Sequence, residues 1–217
     1  MDRGARSRGE LLDAAERLIA EHGFEVPLRE IAVAAGQRNN SAVNYYFRTR
    51  QDLIDAVVAR RLVPMEAERQ AMLNGMSSAE MADPTALIRV LVQPFLHSEG
   101  THYARFLEVV RLRLNREPQS PAESAWPRIT EAMDRLVPVP DRGARIRRVA
   151  AVATAMWALL ADQERRAENG EAGADNLEEI VAMLAAMLTA PPPHGDSSRE
   201  SRFDGSHYDE VGVAGRP

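Results

Sequence analysis

The chain has 217 residues, 45% hydrophobic and 27% charged, with no cysteine and a net charge of −5. That balance places it among soluble globular proteins of one or two domains and excludes a disulfide framework, a thiolate metal site and a thiol nucleophile. Met1-Asp2-Arg3 lacks the apolar core of a signal peptide and no apolar run approaches membrane-spanning length, so no membrane partner is expected and cytoplasmic residence is the expectation.

An acidic total speaks against a nucleic-acid partner unless the charge is unevenly distributed, and here it is. Residues 1–61 carry ten arginines against nine acids, whereas the remainder carries 17 against 23. Every cation is arginine, which suits bidentate contacts to phosphate and guanine.

Residues 1–6 read as a flexible arm. Ser7 and Glu10 have capping-box spacing, and Leu11, Leu12, Ala15, Leu18 and Ile19 form an apolar stripe ending at His22-Gly23. Pro27 suits the opening position of a second helix through Leu28, Ile31, Ala32 and Ala35, which Gly36 ends. Asn39 or Asn40 can cap a third, whose Ala42, Val43, Tyr46 and Phe47 face inward and whose Ser41, Asn44 and Tyr45 face outward. The three helices should share a core of Leu12, Ala15, Leu18, Ile31, Ala35, Val43 and Phe47. No acidic residue occurs from Ile31 to Gln51, while Arg38, Arg48 and Arg50 flank the third helix. Such a surface suits phosphate.

Thr49 with Asp52 gives a capped start to a fourth helix, buried through Leu53, Ile54, Val57 and Val58 and kinked or broken at Pro64. Arg50 falls in its first turn, where the helix dipole disfavours a cation unless an anion lies close by. Further helices are expected from Asp83-Pro84, over Thr101 to Arg116, and from Ser120-Pro121 with Glu123 through Trp126, Ile129 and Met133 to Pro138. The last two run from Asp141 to about Asn169 and from Asn176 to Thr189. The first of these is apolar around much of its circumference from Val149 to Ala161, so it must be covered on more than one side. Residues 191–217, with three consecutive prolines, read as a disordered tail.

The segments LLDAAERLIAEHG, LREIAVAAG and SAVNYYFRTRQDLIDAV resemble, in order and spacing, the N-terminal domain of the TetR family of transcriptional regulators, over about a quarter of the chain. The resemblance implies an all-α fold: a three-helix helix-turn-helix domain over residues 7–50, then a helical effector-binding and dimerisation domain over 51–190. It implies that the helix from about Asn40 to Phe47 enters the major groove of a palindromic duplex. Arg38, Asn39, Asn40, Ser41 and Asn44 are then candidates for base edges, and Tyr45, Arg48, Thr49 and Arg50 for phosphates, with α-helical N-terminal amides as further donors. It further implies a homodimer through helices around 142–168 and 176–189, and a pocket for a small, apolar effector, for which Phe95, His97, His102, Tyr103, Phe106, Trp126, Met133 and Trp157 are candidates. The fourth helix, interrupted at Pro64, is the expected link between effector and DNA. Repression relieved by the effector is the leading expectation; a helical interaction module without operator binding is the alternative. The five histidines show no metal-ligand spacing, and no phosphate loop or nucleophile elbow is present, so no catalytic residue, metal or cofactor is expected.

Overall fold

A computed structural model describes residues 3–37, 41–96, 102–111, 113, 124–171 and 176–192. The described residues are helical without strands: α1 (Arg3–His22), α2 (Leu28–Ala34), α3 (Ser41–Tyr46), α4 (Arg50–Gly75), a 3₁₀ turn (Glu80–Ala82), α5 (Pro84–Leu96), α6 (Tyr103–Val110), α7 (Trp126–Leu136), α8 (Arg142–Glu168) and α9 (Asn176–Thr189). The tail beyond residue 192 and the capped start at Ser120 to Glu123 lie outside the described residues.

The apolar stripe of α1 is buried at Leu11, Leu12, Ala15, Leu18 and Ile19, and the helix ends before Gly23, whose φ of 91° a side chain rarely adopts. Its start differs from the expectation. Residues 3–6 form the first turn of α1, where Arg6 pairs one turn on with Glu10 at 3.1 Å. Pro27 is the N-cap and not the first helical residue; in extended conformation, it offers its carbonyl to the N–H groups of Glu30 and Ile31 at 2.9 and 3.3 Å. Gly36, at φ 70°, ends α2 as expected.

At α4 the capping box is complete: the Thr49 hydroxyl accepts from Asp52 N–H and the Asp52 carboxylate accepts from Thr49 N–H, each at 3.0 Å. No break occurs at Pro64. The helix runs 26 residues through it. Pro64 is itself solvent-exposed, so its ring takes no place in the packed face of the helix.

Two cores hold the molecule. The first combines α1, α2, α3 and the first part of α4 with Tyr103, Phe106, Leu107 and Val110 of α6. The second joins Leu73 at the end of α4 to α5, α7, α8 and α9. No discontinuity of packing therefore coincides with residue 50: α4 serves both cores, and α6, distant in sequence, completes the first. Half-buried Phe95 and Trp157 pack against both cores and mark the seam.

Candidate nucleic-acid interface

The helix-turn-helix is set by burial on one side. Ile31 and Ala32 of α2, Ala35 after it, Val43 of α3 and Phe47 after it are buried against α1, which leaves the other face of α3 free. On that face Asn44 is exposed and Tyr45 is 82% exposed, its ring meeting Tyr46 edge-on at 4.9 Å. An aromatic ring so displayed buries little surface on folding and leaves a face that could pack on a sugar or a base. Ser41 opens α3. Arg38, Asn39 and Asn40 lie outside the described residues.

The turn into α4 presents Arg48 and Thr49 to solvent. Asp52, the first acid after Glu30, has its carboxylate on the Thr49 N–H. Arg50 behaves differently from the expectation. Its Nη1 donates to the Phe24 carbonyl at 2.7 Å and its guanidinium lies 5.7 Å from the centre of the Phe24 ring. The internal carbonyl gives the cation in this first turn a partner, so Arg50 ties α4 to the loop between α1 and α2 through one of its donors. Arg113 covers the same ring at 4.1 Å and reaches Glu25 at 3.3 Å.

The structure brings a different cation to the turn. Arg8 of α1 is exposed and its guanidinium sits 5.3 Å from the centre of the Phe47 ring, next to Arg48 in the chain. Sequence reasoning missed it because 39 positions separate Arg8 from Phe47 and the α1 stripe marks only its buried face.

Of the effector candidates, four converge. Phe95 stacks on Tyr103 at 6.0 Å and meets Trp157 edge-on at 5.4 Å, and Tyr103 stacks on Phe106 at 6.3 Å. Burial pushes the Tyr103 phenol well above its usual pKa, with Arg69 nearby acting in the opposite direction. Met133 is buried in the second core, whereas Tyr103 and Phe106 belong to the first, and Trp126 opens α7 with 40% of its surface exposed. His97 lies outside the described residues. His102 caps α6, and its Nε2 lies 3.0 Å from Glu168 and 3.8 Å from Glu21, a polar joint and not an apolar wall.

That joint was not legible beforehand. Glu16 of α1, almost fully buried, accepts from Arg61 at 2.9 and 3.1 Å, from Arg60 at 3.2 Å and from the His102 N–H at 3.2 Å. On the other side of α6, the Glu164 carboxylate of α8 accepts from the N–H groups of Ala104 and Arg105 at 2.8 and 3.0 Å. The open N-terminal amides of α6 are thus held by one carboxylate from each core's principal helix. Deeper in, Glu66 and Arg69 pair at 2.9 Å; Arg69 also donates to the Leu91 carbonyl at 3.1 Å, and Glu66 accepts from Ala125 N–H at 2.8 Å. Desolvation lowers the Arg69 pKa against the pull of Glu66. A polar cleft of about 650 Å³ over α1 involves Glu10, Asp13, Arg17, Arg61 and His102; the four charged groups each have an opposite charge within 4.0 Å, and His102 Nε2 lies 3.0 Å from Glu168. Among the described residues no group of acids and histidines could hold a metal ion, and no helix is long and apolar enough to cross a membrane.

Residues 11–57 match the model of the bacterial regulatory proteins, tetR family. Similar solved structures include the superantigen PfiT, at 22% identity over 83% of this chain and 95% of that one with a TM-score of 0.49. A tetR-family transcriptional regulator from Mesorhizobium loti, so titled as a provisional assignment, shares 17% identity over 88% and 96% with a TM-score of 0.47. The fatty acid degradation regulator FadR from Bacillus halodurans shares 16% over 85% and 99% with a TM-score of 0.49. Overlaps of this degree decide nothing about ligand or partner. No curated protein matches the sequence significantly.

Proposed function

We propose that residues 11–57, which match the tetR-family model, are a helix-turn-helix, DNA-binding segment, and that the protein is a homodimeric repressor that reads a palindromic operator and leaves it when a small apolar effector binds. The observation that carries the DNA reading is the outer surface of α3 and the turn after it: Asn44, Tyr45, Arg48 and Thr49 exposed, in a stretch without acids from Ile31 to Gln51. Asparagine can read adenine through N6 and N7, and arginine adds charge-assisted hydrogen bonds to phosphate. Arg38, Asn39, Asn40 and Ser41 complete the proposed base-reading set. Two copies related by a twofold axis would address half-sites about one helical turn, roughly 34 to 36 Å, apart.

The second copy is supported by an unpartnered surface. Ile146 of α8 is 54% exposed, and Met183 and Met187 of α9 are about 40% exposed beside exposed Ala182 and Ala186. Small residues between larger apolar ones let two helix pairs approach closely, and an exposed apolar strip of this kind marks an interface.

Effector control needs an element both sites contact. With α4 continuous, α6 is the stronger candidate for that link. Its Phe106 lies in the first core beside the aromatic cluster of Phe95, Tyr103 and Trp157, and its N-terminus is tied to Glu16 and Glu164. A ligand wedged among those rings would act on the operator only through different affinities for two positions of α6.

Titration of the duplex upstream of the protein's own coding region, by mobility shift and fluorescence anisotropy across salt, tests the reading. Saturable binding is expected, weakened on every sequence by Arg48→Ala, with the salt slope reduced by about 0.9 for one lost phosphate contact. Absence of binding to that duplex and to duplexes selected from a random pool, even at low salt, would exclude an operator-binding role.

A further inference from the structure

We infer that Arg8, on the second turn of α1, is a phosphate-contacting residue of the DNA interface, brought to the turn that carries Arg48 by its contact with the Phe47 ring; the inference rests on the DNA reading above. The arginines of α1 whose side chains are described are Arg6, Arg8 and Arg17. Arg6 is paired with Glu10 and Arg17 with Glu21, at 3.1 and 3.2 Å. Across α1, Arg60 and Arg61 are spent on Asp13 and Glu16. Arg8 alone of the α1 set has no carboxylate partner among the described residues, and it is exposed.

What orders it is an uncharged contact. The guanidinium lies against the Phe47 ring at 5.3 Å, and Phe47 is itself buried and rigidly held between α3 and α4. A cation on an aromatic face keeps its positive charge and the N–H donors on its rim, so it arrives at an anion already oriented. Phe47 is followed by Arg48 and Thr49, both exposed, and the Asp52 carboxylate is occupied by the Thr49 N–H. Arg8 and Arg48, from separate parts of the chain, thus bring two arginines without a carboxylate partner among the described residues to this turn. Arg50, the next cation in the chain, donates to the Phe24 carbonyl. The partner that fits exposed arginines from two parts of the chain, without a balancing carboxylate among the described residues, is the phosphodiester backbone flanking the groove that α3 is proposed to enter.

The test uses the full-length protein and a mixed-sequence duplex long enough for two half-sites, titrated by anisotropy between roughly 50 and 200 mM salt. Arg8→Met keeps an aliphatic stem over Phe47 and removes the charge; Arg8→Lys keeps the charge; Arg17→Ala is the control. Expected are a salt slope reduced by about 0.9 in Arg8→Met, near-wild-type slopes in Arg8→Lys and Arg17→Ala, and circular dichroism showing all variants folded. A wild-type slope in Arg8→Met, with Arg48→Ala reduced, overturns the role of Arg8 and leaves the DNA reading standing. Loss of salt-dependent binding in the wild-type protein overturns both.

Discussion

Glu164 offers a pH-dependent test of how α6 is held. Its carboxylate sits between α8 and α6 with one fifth of its side chain exposed, and burial raises its pKa from 4.5 to about 7. The N–H groups of Arg105 and Ala104 and the charge of Arg105 act in the opposite direction, and Glu16 across α6 adds to the rise. Glu168, which pairs with Arg105 and lies 3.0 Å from His102, also faces the joint. Between the unfolded and folded pKa values the folded chain holds a proton that the unfolded chain has released. Stability from this group is thus complete below about 4.5 and is lost as pH rises through about 7. Each pH unit of that separation corresponds to about 1.4 kcal/mol, giving a ceiling near 3 kcal/mol, and the side chain's partial exposure reduces the expectation to about 1 to 2 kcal/mol. Glu164→Gln keeps an oxygen for the α6 amides and cannot ionise. Urea unfolding followed by circular dichroism, at one protein concentration, should show the wild type losing that amount relative to Glu164→Gln between about pH 4.5 and pH 8. Parallel curves, or a wild type that gains relative to the variant as pH rises, would refute the placement of Glu164 as a desolvated cap.

Two other perturbations probe different links. Pro64→Ala restores a helical N–H in the middle of α4 at an exposed position, so stability should rise by up to about 3 kcal/mol, or roughly 6 to 12 °C in Tm for a chain of this size; an unchanged or lower Tm by calorimetry would mean that proline is accommodated there without cost. Charging the α9 strip by the double change Met183→Glu and Met187→Glu should leave the helical circular dichroism intact, because both side chains are exposed in the single chain, and should halve the mass seen by sedimentation velocity. An unaltered sedimentation coefficient would remove this strip from the proposed interface.

Some elements could be read from local pattern alone. The α1 stripe, the Thr49–Asp52 box, the Asp141 cap of α8, whose carboxylate accepts from Ala144 N–H at 2.5 Å, and the bounds of α9 all depend on residues within one or two turns of each other. Periodicity and capping encode such short-range relations directly. The exposed face of α3 follows in the same way, since burying Val43 and Phe47 turns Asn44 and Tyr45 outward.

The features absent from the local pattern are those that a distant partner creates. Arg50 is taken by a carbonyl 26 positions away, Arg61 by a carboxylate 45 positions away, and the α6 amides by Glu164, 60 positions from Ala104. Continuity of α4 through Pro64 belongs to the same group, for packing of that helix against both cores opposes the local penalty. Sequence by itself determined the helix class and the side of the helix-turn-helix left bare, because amphipathic spacing decides which side chains avoid water. Only the tertiary structure decided which arginines remain free and which element joins the two cores. Charges find partners through space, and no spacing along the chain states what a neighbouring helix will offer.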